Sequence, residues 1–278
     1  MGVNLFVLIS GYFGIKLKAT GLINLLWQIV YIAVVCIFVR YVMSKMGGAN
    51  LNFEIKHFFP VTNTVWFVPS YIMLMVFSPI LNSYVEKITT KRLFFYTLGL
   101  YALSYYWSSL WVGTIAGFDG YSWGWFVILY LSGQIIRRLK DEKRLPSRVI
   151  MLLSYLSLTV FVVVIAFVQN YVPIGRSLMW VYNSPLVYTS SICLFAYFCQ
   201  LHIAYNKIIN WLAVSAFAVL LFHMSLFKTY QSICKWIYDN YNGITCIAAS
   251  CGFIIALYLI VTILDQPRKF IFDFISKH

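Results

Sequence analysis

Residues 137–169 read RRLKDEKRLPSRVIMLLSYLSLTVFVVVIAFVQ. Six basic side chains (Arg137, Arg138, Lys140, Lys143, Arg144 and Arg148) lead into an apolar stretch at 147–169, and a helix needs about 20 such residues to cross a bilayer core. A basic flank followed by an apolar run of that length predicts a membrane span with its flank in the cytoplasm. The rest of the chain repeats the pattern. Of 278 residues 62% are apolar and 10% charged, against roughly a quarter charged in soluble domains. That excludes a water-soluble enzyme, a disordered chain and a coiled coil. The net charge of +13 is read as loops beside anionic lipid rather than a nucleic-acid site.

The same ruler marks about nine spans, at 2–14, 20–43, 62–84, 92–112, 121–137, 147–169, 177–200, 209–229 and 243–264. The predicted fold is an all-α transmembrane bundle, one domain over 1–278, with no soluble module. Alternate loops divide the 21 basic residues fifteen to six. Lys16, Lys18, Lys87, Lys91, Arg92, the 137–148 group, Lys207, Arg268, Lys269 and Lys277 fall on one side; Arg40, Lys45, Lys56, Arg176, Lys228 and Lys235 on the other. The C-terminus is therefore expected in the cytoplasm and Met1 outside. The first span is short and has no signal sequence before it, so one further helix upstream of Met1 is expected.

All eight carboxylates are placed in loops or at span ends, which argues against an ion-coupled transporter. Within the spans the polar groups are Asn24 and Gln28, Trp66 to Asn82 with Tyr71 and Ser78, Tyr182-Asn183-Ser184-Pro185, and His223. Asn24 and Gln28 serve as well for helix packing as for binding. His223 could bind substrate, act as a base or bond a neighbouring helix. Pro185 is expected to open a helix near Val181, and Pro69 and Pro79 to bend another. Aromatic rings with polar edges suit a carbohydrate, although Trp66, Trp123 and Trp125 also fit an interfacial belt. The basic run at 137–144 is either a topology determinant or a funnel for a phosphorylated donor. The six cysteines form no CxxC pair, and they are read as packing residues with no metal site.

Five segments, in order, carry a family resemblance. Gly2-Val3-Asn4-Leu5-Phe6, running to Ser10-Gly11-Tyr12, resembles the signature that opens the second helix of the membrane acyltransferase-3 family, the sugar O-acyltransferases of surface polysaccharide assembly. Trp66-Phe67 with Tyr71 and Ser78-Pro79-Ile80-Leu81-Asn82, Gly124-Trp125-Phe126 through Gly133, Tyr182-Asn183-Ser184-Pro185, and Ser215 to His223 are similar to later motifs of that family. The likeness covers nearly the whole chain. It implies transfer of an acyl group, most often acetyl, from acetyl-CoA or another acyl-CoA as co-substrate, with no bound cofactor. The acceptor implied is a sugar hydroxyl of a lipid-linked or polymeric glycan, in the cytoplasmic membrane of a bacterium.

The candidate substrate contacts are Asn4, Ser10, Trp66, Tyr71, Asn82, Tyr182 and Asn183, and the candidate donor contacts are Lys16, Lys18, Arg137 and Arg138. The chain departs from the family in three places. The family's catalytic His belongs to the helix expected upstream of Met1, its Arg-x-x-Arg element is replaced by Lys16 and Lys18, and the late Tyr by the Val219-Leu220-Leu221-Phe222 run. His223 is thus the one intramembrane imidazole available as a base, and the chain alone is expected to be inactive if it is truncated. Rival functions are a lipid-glycan flippase or transporter and a polysaccharide polymerase. For a polymerase, the longest external loop, about 44–61, is modest.

Overall fold

A computed structural model describes residues 1–45, 66–106, 120–168 and 181–275. Among the described residues every regular element is a helix: α1 Gly2–Phe13, α2 Ala19–Lys45, α3 Phe67–Lys87, α4 Thr90–Tyr105, α5 Trp123–Asp141, α6 Arg148–Val168, α7 Pro185–Cys199, α8 Lys207–Val214, α9 Ala216–Ser225, α10 Phe227–Asn240 and α11 Gly243–Ile275. Among the described residues five stretches are long and apolar enough to cross a membrane: Ala19–Lys45, Phe67–Lys87, Arg148–Val168, Lys207–Ser225 across the break at Ser215, and Gly243–Phe272. Gly2–Phe13 and Pro185–Cys199 are shorter apolar helices. The all-α transmembrane architecture expected from the sequence is observed. The expected external loop at 44–61 lies, from residue 46 onward, outside the described residues.

The chain divides into two compact units. One contains Met1–Leu17 and Trp66–Ile203, the other Lys18–Val65 and Ala204–His278. In the first, α5 is the central helix. It packs against α1, α3 and α4, while α7 packs on α1 and on α6. Twelve of its residues are buried, among them Trp125, Phe126, Tyr130 and Gly133. Near its basic end, Leu131 and Ile135 close a core with Val85 of α3 and Leu93 of α4. α6 buries no residue, as suits a helix facing lipid.

In the second unit α9 and α11 pack together with α2, and α10 lies on α11. Arg40 of α2 donates to the Ser225 carbonyl, placing a cation at the C-terminus of α9, where the helix dipole is negative.

Four expectations need correction. Pro185 does not kink a helix but starts one: Ser184 caps α7, accepting from the Val187 amide at 3.2 Å, and proline suits a first helical turn because no partner is needed for its missing N–H. Pro69 likewise falls in the first turn of α3, so only Pro79 interrupts that helix. The span expected at 209–229 is broken at Ser215 and Leu226, and the loop expected to hold Lys228 and Lys235 is helix α10. Finally, α11 continues past residue 264 to Ile275, so Asp265 is no loose span end. It is 0% exposed.

Candidate functional site

The first unit is built on one close helix contact. A Cβ on Gly11 would lie 2.2 Å from the Tyr130 carbonyl oxygen, and one on Gly133 2.4 Å from that of Leu8. Only hydrogen fits at either position, so α1 and α5 touch backbone to backbone. This contact carries the Asn4 side chain into the interior, 0% exposed. Its amide nitrogen donates to the Tyr182 carbonyl at 2.9 Å and to Ser191 Oγ at 3.4 Å, and its oxygen accepts from the Trp125 indole at 3.2 Å. Asn4 thus fastens α1 to α5, to α7 and to the turn before it. Its polar atoms are taken up by the protein, a positioning role beside the binding role expected from the sequence. Trp125, expected as a possible belt residue, is fully buried.

That turn brings together residues far apart in sequence. Trp66 stands 5.4 Å from Tyr182 and 5.0 Å from Tyr121, ring centre to ring centre, and Tyr121 is 5.2 Å from Tyr182. Phe126 and Phe67 close the inner side against Trp66 at 5.9 and 6.2 Å. Asn183 is fully buried beneath, and a Cβ on Gly120 would meet its backbone nitrogen at 2.9 Å. One layer further, Tyr71 stacks on Phe67 at 5.5 Å and its hydroxyl meets Ser10 Oγ at 3.0 Å. Trp66, Tyr71, Tyr182, Asn183 and Ser10, separate candidates in the sequence, form one aromatic set edged with hydroxyls. Tyr121 belongs to it and was not among them. Its place at the start of a span was the only available signal.

The other end of α1 is held differently. Gly14 adopts a φ of +74°, a region other residues avoid, and the chain turns there. The Ile15 amide donates to the Tyr130 hydroxyl at 2.9 Å, that hydroxyl donates to Asn82 Oδ1 at 2.6 Å, and Asn82 returns its amide to the Ile15 carbonyl at 2.9 Å. Asn82, expected at the substrate, fixes the turn leading to Lys16 and Lys18, both exposed.

The basic end of α5 splits into two roles. Arg138 donates to the Ile88 carbonyl at 2.7 Å and to that of Val85, and Lys140 donates to the Cys199 carbonyl at 2.6 Å. Both cations therefore cap the C-termini of neighbouring helices, α3 and α7. Arg137 is exposed. Beyond it, the Thr90 hydroxyl and then Arg144 hold the Glu142 carboxyl below the usual carboxylate range, at 2.5 and 2.9 Å.

The second unit holds His223 and a buried ionic group. His223, half-buried on α9, meets Tyr230 and Phe227 edge-on at 5.3 and 6.2 Å. Asp265 binds Arg268 Nε at 2.6 Å and Nη2 at 3.2 Å and accepts from Ser215 Oγ at 3.0 Å. Lys269 donates to that same Ser215 oxygen at 2.8 Å, and Asn24 accepts from Arg268 at 3.0 Å. A carboxylate buried this deeply persists only when paired and hydrogen-bonded. Asn24 has the packing role, while the Gln28 amide nitrogen one turn on is buried with no partner. Among the described residues no group of three or more His, Cys, Asp or Glu could hold a metal ion.

A family model described as an acyltransferase domain matches residues 1–266, across both units. The chain has no significant similarity to any curated protein or to any solved structure.

Proposed function

Because this chain belongs to the acyltransferase-3 family of membrane proteins, we propose that its acyl transfer runs from an acyl-CoA, most simply acetyl-CoA, to a sugar hydroxyl of a surface polysaccharide or its lipid-linked precursor. A base removes the hydroxyl proton, the sugar oxygen bonds to the acyl carbon, the carbon–sulfur bond of the thioester breaks, and the thiol leaves carrying a proton. The candidate base of this chain is His223, on α9 of the second unit.

The observation that carries the reading is that α1 joins two chemically distinct ends. Asn4, at one end, meets the turn of Tyr182, whose ring stands with those of Trp66 and Tyr121, and such rings stack on the C–H faces of sugars. At the other, the Asn82–Tyr130 clasp presents Lys16, which with Arg137 supplies charge for a donor's phosphates. Twelve residues of helix separate these ends by about 18 Å.

The wider reading places the protein in the cytoplasmic membrane of a bacterium, with its C-terminus and the Lys16, Lys18 and Arg137 side in the cytosol. Deletion of the gene should remove an O-acyl group from the surface glycan, read by NMR of the purified polysaccharide, and expression of the gene should restore it. Unchanged acylation in the deletion strain would refute the proposal.

A further inference from the structure

Three helices of the second unit bring polar side chains to one level. Asn24 of α2 accepts from Arg268 Nη1 at 3.0 Å, the Trp27 indole donates to the Arg268 carbonyl at 3.4 Å, and the Tyr31 hydroxyl donates to that of Leu264 at 2.9 Å. The two helices therefore run antiparallel, and Gln28 lies level with the turn from Leu264 to Arg268. Around the axis of α2, Gln28 falls between these three residues and the buried Ile29, Ile32 and Cys36, on the side from which Arg40 reaches Ser225 of α9. At about 100° per residue it faces the seam between α11 and α9, where Ser215 is bonded to Asp265 at 3.0 Å.

Donors and acceptors in this layer do not balance. The Asp265 carboxylate accepts from Arg268 Nε, Arg268 Nη2 and Ser215, and Lys269 Nζ stands 3.6 Å from it. The Ser215 oxygen accepts from Lys269 and the Asn24 oxygen from Arg268. Each of these oxygens already has its donor. On the other side of the balance, the amide nitrogen of Gln28, a residue 8% exposed, has no partner among the described residues. Charge is uneven in the same sense, because two cations, Arg268 and Lys269, share the single carboxylate of Asp265. A buried donor without an acceptor, beside a cation without its own counter-charge, is unfavourable on both counts. One anion relieves both.

We propose that this layer is a binding site for a phosphate group, with the Gln28 amide, the Arg268 guanidinium and the Lys269 ammonium as its donors. Phosphate offers acceptor oxygens in several directions at once, as donors arriving from two helices require. The layer is reached along the edge formed by Asn24, Trp27 and Lys269, all partly exposed. Their chain neighbours Ile23 and Phe270 are exposed apolar side chains, which suits the headgroup phosphate of an anionic lipid whose chains stay outside. A soluble phosphate shares the chemistry, and the experiment separates the two sources. The site stands apart from the acyl-transfer reading and uses none of its residues.

The test is thermal unfolding of the full chain, freed of lipid in a non-ionic detergent. Phosphatidylglycerol should raise the melting temperature saturably, by about 5 °C, while phosphatidylcholine, whose phosphate carries its own ammonium, should not. Inorganic phosphate at constant ionic strength raises it only if a soluble phosphate is the occupant. Gln28→Leu should weaken the effective anion about tenfold and leave the anion-free melting temperature unchanged or higher, since a donor without an acceptor is gone. A nitrogen engaged only in packing would instead lower stability equally with and without the anion, and that result overturns the site. Lys269→Gln should also weaken the anion about tenfold, whereas Lys91→Gln, an exposed cation of the other unit, should leave it unchanged. No rise with either anion, the same rise in both layer variants as in the wild type, or equal weakening in Lys91→Gln would each overturn the proposal.

Discussion

Gly11 rests against the backbone of Tyr130 so closely that a single added carbon would sit 2.2 Å from its carbonyl oxygen. The conflict is with backbone rather than with a side chain that could swing away. Gly11→Ala should therefore force α1 from α5 and destabilise the protein by about 1–3 kcal/mol, lowering its melting temperature in detergent. Gly21→Ala, where nothing lies within 4 Å, should leave it unchanged. Equal melting temperatures for all three proteins would remove the close contact from the account.

Asn4→Leu deletes the acceptor of the Trp125 indole and the donor to the Tyr182 carbonyl. Two buried polar groups are then left without their partner, at about 1–3 kcal/mol each. Lower thermal stability and a changed fluorescence environment of Trp125 are expected. An unaltered melting curve would mean that Asn4 does not hold the turn.

Arg137 and Arg138 are neighbours that should behave oppositely. Arg138→Met exposes the Val85 and Ile88 carbonyls and should lower stability by about 1–2 kcal/mol. Arg137→Met should leave stability alone and raise KM for the acyl-CoA several-fold, since a phosphate contact is lost. Steady-state kinetics and thermal denaturation of the two variants decide it, and a stability loss in Arg137→Met would contradict the division of roles.

The membrane architecture was legible because apolar runs of bilayer length leave little choice, and the basic flanks made the alternation of loops readable. The aromatic residues could be chosen as candidates, yet their assembly could not: Trp66, Tyr121 and Tyr182 lie on three separate segments joined only through tertiary packing. Charge was hardest to interpret. Arg138 and Lys140 read as donor contacts or topology signals, but their partners are backbone carbonyls, which every sequence contains and none announces. Asp265 was misplaced for a related reason, since the apolar run stops near 264 while the helix continues, with Ser215 at the break between α8 and α9 satisfying the carboxylate.

Glu142 gives a pH signature to the α5–α6 turn. Its carboxyl is held low by Thr90 and Arg144, so it binds fewer protons folded than unfolded at mildly acid pH. Its contribution is complete above the ordinary carboxylate pKa and disappears as pH falls through the lower folded value. Amide hydrogen exchange at Glu142 to Leu145, corrected for intrinsic rate, should accelerate across that acid window and not above it. In Glu142→Gln that acid-dependent step should be absent.

The central claim is acyl transfer from an acyl-CoA to a glycan, and the purified protein in lipid nanodiscs tests it most directly. Incubated with acetyl-CoA labelled in the acetyl group and with polysaccharide from a strain lacking the gene, it should place alkali-labile label on the glycan. His223→Ala should lower that rate by about 10²–10⁴-fold, the usual worth of a general base. A protein that binds the polysaccharide yet leaves every acetyl group on coenzyme A would contradict the account.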